Sequence, residues 1–303
     1  MSFSSKIKVA VLRGGPSVGY DTSLKTGEHV LSVLRNIPDT YEPLDIFISK
    51  EGEWHKEGLV HEPHQVLRYV DVVWNALHGS YGDDIQVQRV LEGLKIPFTG
   101  SNSVSSVLSM NKDMAKNVYQ RHSLNTPLHE LFLKDNLDED KLVTVFRTYL
   151  HPVIVKPSNG VDSLGVRLAH TFHELKLAIK EAFKHSPKVL VEEFIKGDEV
   201  SCVVVEGARG HKLYAFLPVG KNKPVLKVEE NKQIGEMAKC AHEMLGLRHY
   251  SGSDFIITPK RKIYILETNS LPAFYDGSLM HQSLGATGWK SHDFVKHVLG
   301  LAL

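Results

Sequence analysis

At 303 residues the chain exceeds the size at which a single hydrophobic core stops growing, so two or three packed units are expected. Hydrophobic residues make up 42% and charged residues 23%, which excludes a disordered chain, a fibrous repeat and a disulfide scaffold. Lys+Arg 36 against Asp+Glu 35 leaves a net charge of +1, so no global field gathers nucleic acid or an anionic membrane, and any anion must be held locally.

Met1 to Lys6 lack the apolar stretch of a secretory signal, and no later apolar run approaches membrane-spanning length; a cytoplasmic protein is expected. Val9-Ala10-Val11-Leu12 is a continuous apolar run that stops at Arg13-Gly14-Gly15. Ser23 then precedes the helical pattern Leu24, His29, Val30, Leu31, Val33, Leu34, giving strand, glycine turn and helix. Strands are expected at Leu44–Ile48 and Val70–Trp74, the second ending at Leu77-His78-Gly79, with helices at about 85–95 and 103–120. The first unit, 1–100, therefore predicts an α/β doubly wound parallel sheet.

The second unit, 101–196, changes to α+β character: Pro152 to Pro157, a polar glycine-containing loop, Val166-Arg167-Leu168, a helix from Thr171, then Val189 to Ile195. In the third, 197–303, Val203–Val205, Tyr214–Leu217, Phe255–Ile257 and Lys262–Leu266 predict a mostly antiparallel sheet. Ile234, Met237, Ala238, Ala241, Met244 and Leu245 fall on one helical face and read as core. Cys202 and Cys240, the only cysteines, form no C-x-x-C pair; two buried thiols in a reducing compartment are expected.

Asp254, Glu267 and Asn269 fall on two strands separated by a turn at Thr258 to Arg261. Residues two apart share a strand face, so Glu267 and Asn269 project together and a neighbouring strand can bring Asp254 beside them. Such an all-oxygen set suits Mg²⁺, which takes few protein ligands; an ordinary solvated hairpin fits the same residues. Lys156 ends an apolar strand before a loop with Gly160 and Gly165, where backbone N–H groups and one cation could surround phosphate oxygens. By itself that loop also serves as a plain hairpin turn, and no Walker motif exists anywhere. No G-x-G-x-x-G follows the first strand, which speaks against a nicotinamide dehydrogenase.

These segments occur in a characteristic order: Gly14-Gly15-Pro16-Ser17, Leu77 to Asp84, Pro97 to Ser101, Met110-Asn111-Lys112, Val155-Lys156-Pro157 to Gly165, Val191 to Phe194, and Asp254 to Leu266-Glu267-Thr268-Asn269-Ser270-Leu271-Pro272. In that order and spacing the chain resembles D-alanine–D-alanine ligases along nearly its whole length. The resemblance implies an ATP-grasp fold whose second and third units clamp ATP. It implies Lys112 and Lys156 on phosphates, Glu192, Phe194 and Ile195 at the adenine, Glu199 at the ribose, and Asp254, Glu267 and Asn269 on two Mg²⁺, with Mn²⁺ as a substitute. It implies His78 near the activated substrate, small amino-acid substrates, and a homodimer, the common state of such ligases. The implied reaction phosphorylates one D-alanine carboxylate, and the amine of a second attacks the acyl phosphate, giving D-alanyl-D-alanine for peptidoglycan precursors.

The chain departs from the family at its amino-acid contacts. Gly19 stands where a glutamate holds the first ammonium, with Asp21 as the candidate replacement; Gly252 stands where an arginine binds the second carboxylate, with Arg248 four residues earlier. Asp162 replaces the first of two loop serines, leaving Ser163; Ala273 replaces a glycine; and a short stretch around Lys221 to Pro224 stands in for a longer lid. Ser278 and the Leu279 amide are expected to receive the second carboxylate. The departures leave open a ligase for another amino-acid or dipeptide pair, or an ATP-binding relative of weak activity.

Overall fold

The computed structural model describes residues 6–79, 86–159, 165–220, 222 and 224–303. Alternation within β1 (Ile7–Gly14) builds the first unit. Val9 and Val11 face Val30, Leu31 and Leu34 of α1 (Tyr20–Arg35), and Ala10 and Leu12 face the opposite side. β2 (Tyr41–Ile48), β3 (Trp54–Lys56), β4 (Leu59–His61), α2 (Pro63–Leu67) and β5 (Val72–Asn75) follow. The sheet order is β4-β3-β2-β1-β5. β1 runs parallel to β2 and β5, while β3 and β4 form an antiparallel hairpin at the other edge, so the parallel expectation holds for β2, β1 and β5. α2 and α3 (Gln86–Gly93) supply Val66, Leu67, Val87 and Leu91 to the second face.

Two expectations are corrected here. The first helix begins at Tyr20, not after Ser23; Ser23 is buried in its second turn and its Oγ accepts from the Gly14 N–H at 2.8 Å. The helix expected over 103–120 is two, α4 (Ser103–Met110) and α5 (Lys112–Arg121). Asn111 breaks the run with an extended ψ of 102°, because its side chain caps the Met114 N–H at 3.0 Å. The Lys112 N–H, released from the helix, bonds the Ser158 carbonyl at 2.9 Å.

The second sheet comprises β6 (His129–Leu133), β7 (Val153–Pro157), β8 (Arg167–Ala169) and β9 (Lys188–Glu193), ordered β6-β9-β7-β8 and antiparallel throughout. α6 (Glu139–Thr148) and α7 (Phe172–Ala182) cover it with Leu142, Val145, Leu175 and Ile179. Thr171 caps α7 by accepting from the Glu174 N–H.

The third sheet, β11-β10-β12-β13, is formed by β10 (Asp198–Glu206), β11 (Leu213–Ala215), β12 (Tyr250–Ile257) and β13 (Ile263–Asn269), again antiparallel. α8 (Val228–Met244) lays Ile234, Met237, Ala238 and Ala241 on it, while Met244 is only half-buried. Ala115 and Tyr119 of α5 join this core, so α5 packs against the third sheet rather than the second. α9 (Leu279–Ala286) and α10 (Ser291–Ala302) end the chain. Phe294, Val295, Val298 and Leu299 of α10 share one core with Val9, Val11 and Trp74 of the first sheet and Val203, Val205 and Tyr250 of the third. Both cysteines are free thiols as expected, but only Cys202 is buried; Cys240 on α8 is half-exposed. Among the described residues no helix is long and apolar enough to cross a membrane.

The Asn111 cap yields a first expectation. Asn111→Ala removes the bond that starts α5 and lowers stability by about 1 kcal/mol, read as a lower urea midpoint at unchanged slope.

Candidate active site

A cleft of about 950 Å³ lies where the second and third sheets face the end of the first, and its lining includes Lys112, Lys156, Glu192, Glu199, Asp254 and Glu267. The β12–β13 register sets Asp254 directly opposite Glu267. Past that pair the register shifts by one residue, leaving Leu266 without a cross-strand partner. Asn269, two residues on, lines the same cleft. Ser201 on β10 pairs with Asp254 in register and donates its Oγ to Asp254 Oδ1.

Lysines from two other elements meet the carboxylates. Lys112 Nζ, at the start of α5, lies 2.8 Å from Glu267 Oε2. Lys156 Nζ, at the end of β7, lies 2.5 Å from Glu192 Oε1 on β9. The far side of Glu192 is held by Lys116, whose Nζ is 3.0 Å from Oε2. Sequence reasoning missed Lys116 and Ser201. Lys116 had a usable signal, since it follows Lys112 by four residues, one helical turn; Ser201 had none.

Burial, then the neighbouring Glu267, pushes the Asp254 carboxyl up to about 7. Lys112 holds Glu267 below its ordinary range even though burial opposes this. Burial also works to raise Glu192, but Lys156 and Lys116 together bring it down to about 2. Two adjacent half-buried carboxylates facing a cleft, one of them short of positive charge, fit a hard divalent cation with oxygen ligands. Among the described residues no group of three His, Cys, Asp or Glu converges as a metal site. The candidate set here is two carboxylates and an amide, sparse enough for an ion that keeps waters and phosphate oxygens.

Phe194 and Ile195, just beyond β9, and Glu199, on β10, line the same cleft, as do His78 and Ser278. Burial pushes the His78 imidazole down to about 4, so it is neutral; its Nε2 lies 2.8 Å from Thr26 Oγ1, and its carbonyl accepts from Ser17 Oγ. Ser278 caps α9 by accepting from the His281 N–H. Asp21 is exposed on the first turn of α1 and does not line the cleft, whereas Thr22 does. Ser163 and Asp162, with the rest of 160–164, lie outside the described residues, as do 80–85, Lys221 and Lys223.

Of the two glycines at the expected substrate-contact positions, Gly19 has no room for a side chain and Gly252 is tightly packed. A Cβ on Gly19 would lie 2.7 Å from the His78 carbonyl oxygen, and one on Gly252 would lie 3.0 Å from Pro272 Cβ. Arg248 does not compensate: it is exposed before β12, its Nη2 lies 3.4 Å from His249 Nε2, and it is absent from the cleft lining. A second cavity of about 720 Å³ against α7, reaching Leu142 of α6, carries no carboxylate and none of these residues.

Three sheets around a cleft of paired lysines and carboxylates define the ATP-grasp class, and solved structures of the same architecture bear this out. The D-alanine-D-alanine ligase of Coxiella burnetii superposes with a TM-score of 0.88 at 24% identity, covering 98% of this chain and 95% of its own. The VanG D-Ala:D-Ser ligase of Enterococcus faecalis gives 0.86 at 24% identity, over 99% and 100% of the two chains. In sequence, the D-alanine–D-alanine ligase of Geotalea uraniireducens is 33% identical over 97% of this chain and 95% of its own. That of Clostridium beijerinckii is 32% identical over 92% and 93%. The family model described as the D-ala D-ala ligase C-terminus matches residues 118–220 and 218–300. The chain belongs to the D-alanine–D-alanine ligase family.

The raised Asp254 carboxyl has a pH signature. The folded, metal-free protein holds a proton there that the unfolded chain gives up near 3.8, so this contribution to stability is full below that value and is lost as pH rises through about 7. The stability of the unsubstituted protein relative to Asp254→Asn is therefore expected to fall across that range, measured by urea unfolding in chelator.

Proposed function

We propose that the chain is an ATP- and Mg²⁺-dependent ligase that joins two D-alanine molecules through an acyl phosphate, supplying D-alanyl-D-alanine for peptidoglycan precursors in the cytoplasm. One observation carries this reading: Asp254 and Glu267, paired across a hairpin, face the same cleft as Lys112 and Lys156. The named activity of the sequence relatives supports it, as does the Bacillus anthracis relative of the same fold, solved complexed with ATP.

In this reading Asp254, Glu267 and Asn269 hold two Mg²⁺. The ions, when bound, offset charge on the transferred phosphoryl group. Lys112, beside Glu267, and Lys156, from β7, add positive charge to the same cleft, where exclusion of water strengthens it. Glu192, Phe194 and Ile195 meet the adenine, and Glu199 accepts from ribose hydroxyls. His78, kept neutral by burial, adds no charge beside the carboxylate being activated. Ser278 and the Leu279 amide, at the start of α9, receive the acceptor's carboxylate.

The closed position at Gly19 and the tight one at Gly252 favour a second reading, in which the same activation serves another amino-acid or dipeptide pair. Phosphate release with ATP, Mg²⁺ and a panel of D- and L-amino acids, with products weighed by mass spectrometry, separates the two. D-alanyl-D-alanine supports the first, a different dipeptide the second, and nucleotide binding without amino-acid-dependent release points to a weakly active relative. Glu267→Gln and Asp254→Asn are each expected to lower turnover by about 100-fold or more. Near-normal kcat in either would remove that residue from the mechanism.

A further inference from the structure

Lys116 is fully buried, with 0% relative exposure, and does not line the cleft. Its ammonium meets three oxygens: Glu192 Oε2 at 3.0 Å, Thr126 Oγ1 at 2.9 Å and the Pro127 carbonyl at 3.2 Å. Two of these contacts are hydrogen bonds and the third is an ion pair, so the Lys116 ammonium is engaged by the protein on all three and lies outside the cleft. Lys156 differs, for it lines the cleft and its recorded partner is Glu192 Oε1 at 2.5 Å. One buried carboxylate is thus shared by an inner lysine shut away from the cleft and an outer lysine at the cleft wall.

We propose that Lys116 is a positioning residue that lets Lys156 exchange partners: Lys116 stays on Glu192 as fixed counter-charge while Lys156 turns from that carboxylate to a phosphate. The inference rests on the reading that Lys156 meets the nucleotide's phosphates. Its physical basis is the cost of a buried charge without a partner. With two lysines on one glutamate the group carries one surplus positive charge, and an anion in the cleft can take Lys156 without stripping Glu192. With Lys116 neutralised, Lys156 becomes the sole partner of a carboxylate only 2% exposed, and every phosphate contact competes with that pair. Lys116 thereby sets the strength of a contact it does not make.

The test is calorimetric titration of the full chain with ATP and, separately, with adenosine. Lys116→Met is expected to weaken ATP binding roughly tenfold while adenosine affinity stays within about twofold. A purely structural role, anchoring α5 to the Thr126–Pro127 turn, would weaken both nucleoside and nucleotide. In a Glu192→Gln background, which removes the anion, adding Lys116→Met is expected to leave ATP affinity unchanged. This double variant also covers the case in which Lys116→Met alone does not fold, because both buried charges are removed together. Equal losses for ATP and adenosine, or a further loss of ATP affinity in the Glu192→Gln background, overturn the proposal. Lys156→Ala separates it from the reading beneath it. Unchanged ATP affinity in that variant removes the phosphate role itself, whereas a loss there with none in Lys116→Met overturns the exchange alone.

Discussion

A carboxylate taken out of water must be given a cation, a set of hydrogen bonds or a proton, and the cleft is organised around that demand. Glu192 takes two lysines, Glu267 takes Lys112, and Asp254, with a serine hydroxyl as its recorded partner, keeps its proton to about 7. The carboxylate left shortest of positive charge is the one beside which a divalent ion has most to gain. Charge matching, rather than apolar packing, decides where a ligand is held, and the three cores serve to fix the strands and helices that carry the charges. A one-residue slip of β13 would turn Glu267 and Asn269 away from the cleft, so hairpin register is itself part of the site.

The cores also divide the labour. The second sheet and its two helices close on themselves, using only residues between Phe132 and Val191. The first and third sheets instead share a core across α10 and Trp74. Lys112 and Lys116 come from α5, which packs with the third sheet, while Lys156 and Glu192 come from the second. The Lys116–Glu192 pair is therefore a bond between units, as is the Lys112 N–H to the Ser158 carbonyl.

Much of this was legible in the sequence. The period-two spacing of Glu267 and Asn269, the apolar run ending in Lys156 and the stripe on α8 all announce themselves locally, because strand and helix geometry fix which residues share a face. What escaped depends on contacts remote in the chain. The edge hairpin at Trp54–His61 consists of three-residue strands too short to show a period, and the break at Asn111 is set by a cap and a bond to Ser158. Asp21 looked suitable as a replacement for the ammonium-binding glutamate by proximity in sequence, yet a first-turn helical position turns it outward. The closure of Gly19 by His78 and of Gly252 by Pro272 joins residues 59 and 20 apart (78 − 19 and 272 − 252), which no local pattern encodes.

The core shared by β1 and α10 ties the covering of the first sheet to residues made much later in synthesis. Val9, Val11 and Trp74 emerge early, but the first of the α10 residues that cover them, Phe294, follows Trp74 by 220 positions (294 − 74). Until then the first sheet keeps part of one apolar face uncovered, and a nascent chain halted before residue 291 would present that face to chaperones or to other unfinished copies.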